Sequence, residues 1–100
     1  MHYIDSDDQN AFIVEHTGVD LTTVQTVMRV EFEYMAAVGL IDGPVGQWKY
    51  YAPDQLQSVD PIVDIERLAI DAERLAGVPA AIALEVFSAE LKYLRLKGIA

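Results

Sequence analysis

Four stretches of the chain repeat apolar residues at the three-to-four-residue spacing of an amphipathic helix. They cover approximately 6–17, 21–38, 61–76 and 79–97. Gly18, Gly39 and Gly77 follow three of these stretches, and glycine is common just past a helix C-terminus because it tolerates a positive φ. Pro79 starts the last stretch. The pattern predicts a mainly α fold built from pairs of helices.

The residues before the helical stretches predict where each helix begins. Ser6, with Gln9 three residues later, is typical of a capping box for the first helix. Asp20 is the expected N-cap of the second helix. Asp60 precedes Pro61, a residue favoured at the first helical position, and so predicts the start of the third.

The chain also resembles itself. A shift of 59 positions places 18–41 over 77–100, and six residues of the first segment are then identical to their counterparts in the second. These six are Gly18, Val19, Val27, Glu31, Tyr34 and Gly39. Two glycine-capped amphipathic helices can look alike without a common origin, so chance similarity stays open beside duplication. The favoured interpretation is two tandem helix-turn-helix-like repeats.

Between the repeats lies the stretch "GLIDGPVGQWKYYAP", in which turn residues precede an aromatic run suited to a pleated surface. It predicts a short, wing-like β-hairpin. The expected organisation is a single domain over 1–100. Its parts are repeat one at 4–41, the hairpin at 40–52, a linker at 53–59 and repeat two at 60–100.

Alternation along a strand places Trp48 and Tyr50 on one side of this hairpin and Lys49 and Tyr51 on the other. Lys49 and Tyr51 are the predicted exposed pair. The favoured interpretation is that one hairpin face packs on the helices while the other contacts a protein. A stacking platform for single-stranded nucleic acid is the alternative.

The series "TGVDLTTVQTVM" followed by "GLIDGPVGQWKYYAP" resembles the core of a winged helix-turn-helix domain of ArsR-like and MarR-like regulators, over roughly residues 6–53. The resemblance implies that helix 21–38 is a DNA recognition helix and that 42–51 is the wing. The outward recognition residues would be Thr22, Thr23, Gln25, Thr26 and Arg29. The wing would add Trp48, Lys49 and Tyr51.

The charge of the chain favours a different partner. Sixteen acidic and 7 basic residues give a net charge of −9, which repels nucleic acid. In the first fifty residues the only basic side chains of the Lys/Arg type are Arg29 and Lys49. We therefore expect a small acidic regulatory or adaptor protein that contacts a basic, possibly nucleic-acid-binding, protein. The winged-helix DNA-binding regulator is the alternative, and both hypotheses expect self-association through helix 79–97.

No pattern in the chain indicates catalysis. There is no cysteine, phosphate loop or nucleophile elbow, so neither an enzyme nor a cofactor is expected. Glu31 and Glu90 recur near the apolar face and would converge if the repeats pack about a pseudo-twofold axis. A structural role, with each carboxylate bonded to a neighbouring tyrosine hydroxyl, a basic residue or a helix N-terminus, is favoured over a metal site. No signal peptide or membrane-spanning run is recognisable, and a cytoplasmic protein is expected.

Overall fold

The computed structural model describes residues 5–42, 47–51 and 64–98, and within these ranges every regular element is a helix. The four helices are α1 (Ser6–Thr17), α2 (Leu21–Ala37), α3 (Ile65–Ala76) and α4 (Ala80–Leu96). Each bound of α3 and α4 lies 59 positions after the corresponding bound of α1 and α2. The prediction of a mainly α fold is confirmed. No described helix is long and apolar enough to cross a membrane.

The caps of α1 and α3 differ from those expected. The N-cap of α1 is Asp5, one residue before Ser6, and the N-cap of α3 is Asp64. Each of these aspartates accepts the N–H groups of the residues two and three positions later, at 2.9 and 3.3 Å for Asp5 and at 3.0 and 3.3 Å for Asp64. The predicted cap Asp60 lies outside the described residues.

The helices pack in a ring. Helix α4 contacts α1 and α3, helix α2 contacts the same two, and α2 and α4 approach each other over a short diagonal stretch. The centre is filled by fully buried side chains from all four helices. Among them are Ile13, Val24, Val27, Leu68, Val86 and Phe87. Helix α4 is therefore part of the core, in keeping with apolar residues on more than one of its faces.

The prediction of a β-hairpin between the repeats is wrong for the part that the structure describes. Residues 40–42 and 47–51 of the predicted hairpin contain no strand. The aromatic residues at 48–51 have high strand propensity, but that propensity reflects packing on a pleated surface and is overridden when no partner strand pairs with them. The linker predicted at 53–59 lies outside the described residues.

A glutamate side chain takes the place of a partner strand. The Glu33 carboxylate of α2 is fully buried and accepts the main-chain N–H groups of Lys49, Tyr50 and Tyr51 at 2.8–3.3 Å. Arg29, one turn earlier on α2, donates its Nε–H to the same carboxylate at 2.6 Å. These bonds satisfy main-chain donors that a sheet would otherwise pair, and they hold segment 47–51 against α2.

Tyr51 is buried, at 3% exposure, so its predicted place in an exposed pair with Lys49 is wrong. Its hydroxyl donates to Asp71 Oδ2 of α3 at 2.8 Å, and its ring meets that of Tyr34 edge to face with centroids 5.9 Å apart. Burial, together with the Asp71 carboxylate, raises the pKa of the Tyr51 phenol. Tyr51 thus connects segment 47–51 to both α2 and α3.

Candidate functional site

A groove of about 1030 Å³ lies where α2 and α4 approach each other, and we call it the α2–α4 groove. The first residues of α1 and α3, Ser6 and Ile65, both line it. Its apolar walls come from pairs of positions 59 residues apart, one on α2 and one on α4. These pairs are Met28 with Phe87, Phe32 with Leu91, and Met35 with Leu94. The two walls are therefore built from equivalent positions of the internal repeat.

Glu31 and Glu90 both line the groove, and their side chains hydrogen-bond to each other. They are also 59 positions apart. Equivalent residues that touch must lie close to the pseudo-twofold axis relating the two helix pairs. The convergence of these two carboxyl groups, which the sequence made conditional on such packing, is present in the structure.

The pKa of each carboxyl group in this pair is raised, so the pair retains a proton more readily than two separate glutamates would. Burial, reinforced by the neighbouring Glu90, raises the pKa of Glu31 to about 9, so Glu31 is protonated at neutral pH. Burial also raises the pKa of Glu90, and hydrogen bonds from Glu31 and Gln9 oppose that shift. The Gln9 bond, from Nε2 to Glu90 Oε2, is 3.4 Å long.

The two carboxyl groups have different neighbours because the repeat is imperfect. The position 59 residues after Gln9 is occupied by Leu68, which is fully buried and cannot hydrogen-bond. The Gln9 amide therefore stabilises negative charge on Glu90, whereas the Leu68 side chain offers no equivalent donor to Glu31. This difference favours the charged form of Glu90 over that of Glu31.

The favoured structural role for the two glutamates needs one correction. The Tyr93 hydroxyl, one of the partners predicted for Glu90, donates instead to Asp8 Oδ2 at 2.7 Å. This bond, together with burial, raises the pKa of Tyr93 to about 12. As for the metal alternative, no cluster of three or more His, Cys, Asp or Glu residues that could hold an ion exists within 5–42, 47–51 and 64–98.

The residues predicted to read DNA lie away from the groove. Thr22 and Gln25 are exposed on α2, as expected. Two of the threonine hydroxyls already have intrahelical partners: Thr23 Oγ1 donates to Asp20 Oδ1 at 2.6 Å, and Thr26 Oγ1 donates to the Thr22 carbonyl at 2.9 Å. Because these two hydroxyls are already hydrogen-bonded within the first turns of α2, the residues predicted to read DNA offer fewer free polar groups than the sequence indicates.

The predicted basic and aromatic residues are also largely engaged in structure. Arg29 bonds Glu33 and, through an Nη atom, the Gln47 carbonyl at 2.9 Å. Trp48 is half-buried against the core. Lys49 is exposed, but its main-chain N–H is bonded to Glu33. Arg29 and segment 47–51 come together around Glu33, and their joint effect is to hold that segment in place.

The groove residues were not predicted as a site because they lie on the apolar faces of α2 and α4, where core packing is expected. Met28 and Met35 lie on the apolar face of α2, and both are only half-buried. The available signal was the recurrence of a glutamate at equivalent positions of two apolar faces, at Glu31 and Glu90. An acidic residue repeated on a buried face is costly unless it is partnered, and here the partners are each other.

No family model, curated protein or solved structure matches this chain. The resemblance to winged helix-turn-helix domains over residues 6–53 therefore rests on the sequence pattern alone.

Proposed function

We propose that this protein is a small acidic adaptor that acts by protein contact, and that its α2–α4 groove receives an amphipathic helix of a partner protein. The observation that carries the proposal is the groove itself, about 1030 Å³ with walls of apolar side chains from α2 and α4. Helix-in-groove recognition uses such a surface, with apolar anchors of the bound helix spaced at i, i+3, i+4 and i+7.

The groove walls leave apolar surface in contact with water. Leu91 and Ile65 are 40% and 42% exposed, and both line the groove. Covering such a patch removes apolar area from water, which is the main favourable contribution to most protein association. Met28 and Met35 add flexible, polarisable side chains of the kind that adapt to a bound apolar helix.

The charge of the chain favours a basic partner. The net charge of −9 attracts cationic segments and speeds their encounter. A second depression of about 430 Å³ shares Asn10 with the groove and combines apolar Leu21 with acidic Asp7 and Glu15. Basic residues that flank the docked helix would meet these carboxylates.

DNA binding and self-association are two further predictions that the experiments below can address. The DNA-binding alternative gains no support from Arg29, whose guanidinium is engaged by Glu33 and Gln47. Self-association through helix 79–97 stays a prediction, and Leu96, which is 67% exposed near the end of α4, is the surface residue that would contribute most to it.

The test is a titration of ¹⁵N-labelled protein with a designed amphipathic helical peptide that carries leucines at i, i+3, i+4 and i+7 and lysines elsewhere. We expect the largest amide shifts at the groove residues of α2 and α4. Random duplex DNA, titrated across a salt series, should cause none. Steeply salt-dependent DNA binding without peptide binding would support the DNA-binding alternative and overturn the adaptor proposal.

A matched pair of variants distinguishes docking in the groove from nonspecific hydrophobic association. Leu91→Gln removes an exposed apolar side chain inside the groove, whereas Ile70→Gln removes one, 61% exposed, outside it. Both are exposed, so both variants should fold. We expect Leu91→Gln to weaken peptide binding about tenfold and Ile70→Gln to leave it unchanged. Equal effects of the two would contradict docking in the groove.

A further inference from the structure

We infer that the α2–α4 groove selects an amphipathic helix with one lysine at the centre of its apolar face, and that the lysine ammonium replaces the proton shared by Glu31 and Glu90. This inference rests on the proposed function and specifies the chemistry of the occupant. The lysine Nζ would lie between the two carboxyl groups, and the displaced proton would pass to solvent.

The position of the carboxyl pair dictates where the cation must be. Glu31 and Glu90 lie where the two equivalent walls meet, with Met28, Phe32 and Met35 on the α2 side. An occupant that fills both halves of the groove therefore presents apolar residues before and after its cation. A lysine with leucines three or four positions to either side meets this requirement on one helix face.

Charge complementarity favours a cation over an apolar group at this point. A wholly apolar helix would cover Glu90 and leave its negative charge buried with only the Glu31 and Gln9 hydrogen bonds. A lysine brings a positive charge and three N–H donors, and its aliphatic stem can lie along the groove walls. Two carboxylates around one ammonium satisfy the charges that burial would otherwise leave unpaired.

The remaining charged side chains that line the groove, among described residues, are Lys92 and Arg95 of α4. Both are exposed, and they contribute positive charge at the α4 edge only, since the equivalent positions of α2 are Glu33 and Ala36. The facing residues of α1 and α3 are uncharged Ser6, Gln9, Asn10 and Ile65. Among the described residues, no basic side chain contributes to the pKa shift of Glu31 or Glu90. Lys92 and Arg95 favour acidic residues on the adjacent flank of the helix.

The experiment uses the full 100-residue chain and two amphipathic peptides that differ only at the central residue of the apolar face. One peptide carries a lysine there, flanked by leucines, and the other carries norleucine, which lacks the ammonium group. Calorimetric titration at pH 7 in two buffers of different ionisation enthalpy gives affinity and the number of protons released. We expect the lysine peptide to bind at least about tenfold more tightly. It should release close to one proton per complex, and the norleucine peptide should release none.

Glu31→Gln keeps the shape of the protonated carboxyl group and cannot lose a proton. In this variant we expect the preference for lysine to fall to about threefold or less and proton release to disappear. Glu85→Gln makes the same change at an exposed position of α4 outside the groove, and it should behave as wild type. The affinities of the two peptides are already compared on the wild-type protein, so the inference is tested even if Glu31→Gln folds poorly.

The outcomes separate the two proposals. Equal affinity for the two peptides, or lysine binding without proton release, overturns this inference and leaves the adaptor function standing. Failure of both peptides to bind overturns the adaptor function as well.

Discussion

The Glu33 carboxylate accepts the main-chain N–H of Tyr50 at 2.8 Å, and this bond joins α2 to a segment without regular secondary structure. Burial opposes ionisation of Glu33, but the N–H of Tyr50 and the Arg29 guanidinium outweigh it and lower the pKa of the carboxyl group. Segment 47–51 is therefore held by a charge buried in the helical core, and its attachment depends on that charge.

Glu33→Gln should destabilise the protein. The amide keeps one oxygen acceptor but loses the charge and presents two N–H donors to a site filled by donors, so we expect the free energy of unfolding to fall by about 2 kcal/mol. Urea denaturation at pH 7 measures this. Glu15→Gln, at an exposed position of α1, is the control and should change little. An unchanged urea midpoint for Glu33→Gln would show that the hydrogen bonds to segment 47–51 contribute nothing to stability.

The hydroxyl of Tyr51 provides a second, independent attachment. Tyr51→Phe keeps the ring against Tyr34 but removes the buried bond to Asp71, and we expect a loss of about 1–2 kcal/mol of unfolding free energy. Tyr50→Phe removes a hydroxyl from the neighbouring half-buried ring and should cost less than about 0.5 kcal/mol. Thermal melts of the two variants compare them directly, and equal melting temperatures would contradict the role assigned to Asp71.

The carboxyl pair in the groove predicts a pH dependence of stability. Because the pKa of Glu31 is raised to about 9 in the folded protein, the fold binds one more proton than the unfolded chain between that value and the ordinary glutamate range. The contribution of Glu31 is therefore most favourable at low pH and is lost as pH rises towards 9. The limiting slope is about 1.4 kcal/mol per pH unit for one proton.

Glu31→Gln removes that titration. We expect the variant to be more stable than wild type at pH 8 and to show a flatter profile between pH 6 and 9, measured by urea denaturation at several pH values. Glu33 contributes with the opposite sign, because its lowered pKa gives stability that is lost as pH falls through the acidic range. A wild-type profile as flat as that of the variant would show that Glu31 is ionised in the fold.

The two aspartate caps offer a matched comparison across the repeat. Asp5→Ala and Asp64→Ala each remove a side chain that accepts two main-chain N–H groups at the start of a helix, and each should cost about 1 kcal/mol. Circular dichroism melts of both variants test this. A cost at Asp64 but none at Asp5 would indicate that α1 frays freely at its start.

The helices could be predicted from the sequence because their signals are local. Gly18 and Gly77 have a φ of 73°, the left-handed conformation for which glycine is favoured, and Asp20 caps α2 as expected. Asp60 was the predicted cap of α3 because Pro61 follows it, whereas the observed cap is Asp64, which the 59-residue shift places over Asp5. The repeat was the better guide to the start of α3.

The hairpin and the groove could not be predicted in the same way. Whether Lys49 and Tyr51 belong to a strand depends on what their main-chain N–H groups bond to, and here both donate to the carboxylate of Glu33 on α2. The groove depends on how closely α2 approaches α4, which no local pattern of either helix specifies. The one sequence feature that indicated the groove was the glutamate that recurs at positions 31 and 90.

The near-symmetry of the two helix pairs has a consequence for their central carboxyl groups. In a homodimer of identical chains, a residue on the twofold axis faces its own copy, and neither member of the pair can differ in environment from the other. Joining the two halves in one chain lifts that restriction, as Gln9 and its counterpart Leu68 illustrate. A covalently linked pseudo-dimer can thus give acid and conjugate base fixed, separate locations, which an assembly of identical subunits cannot do.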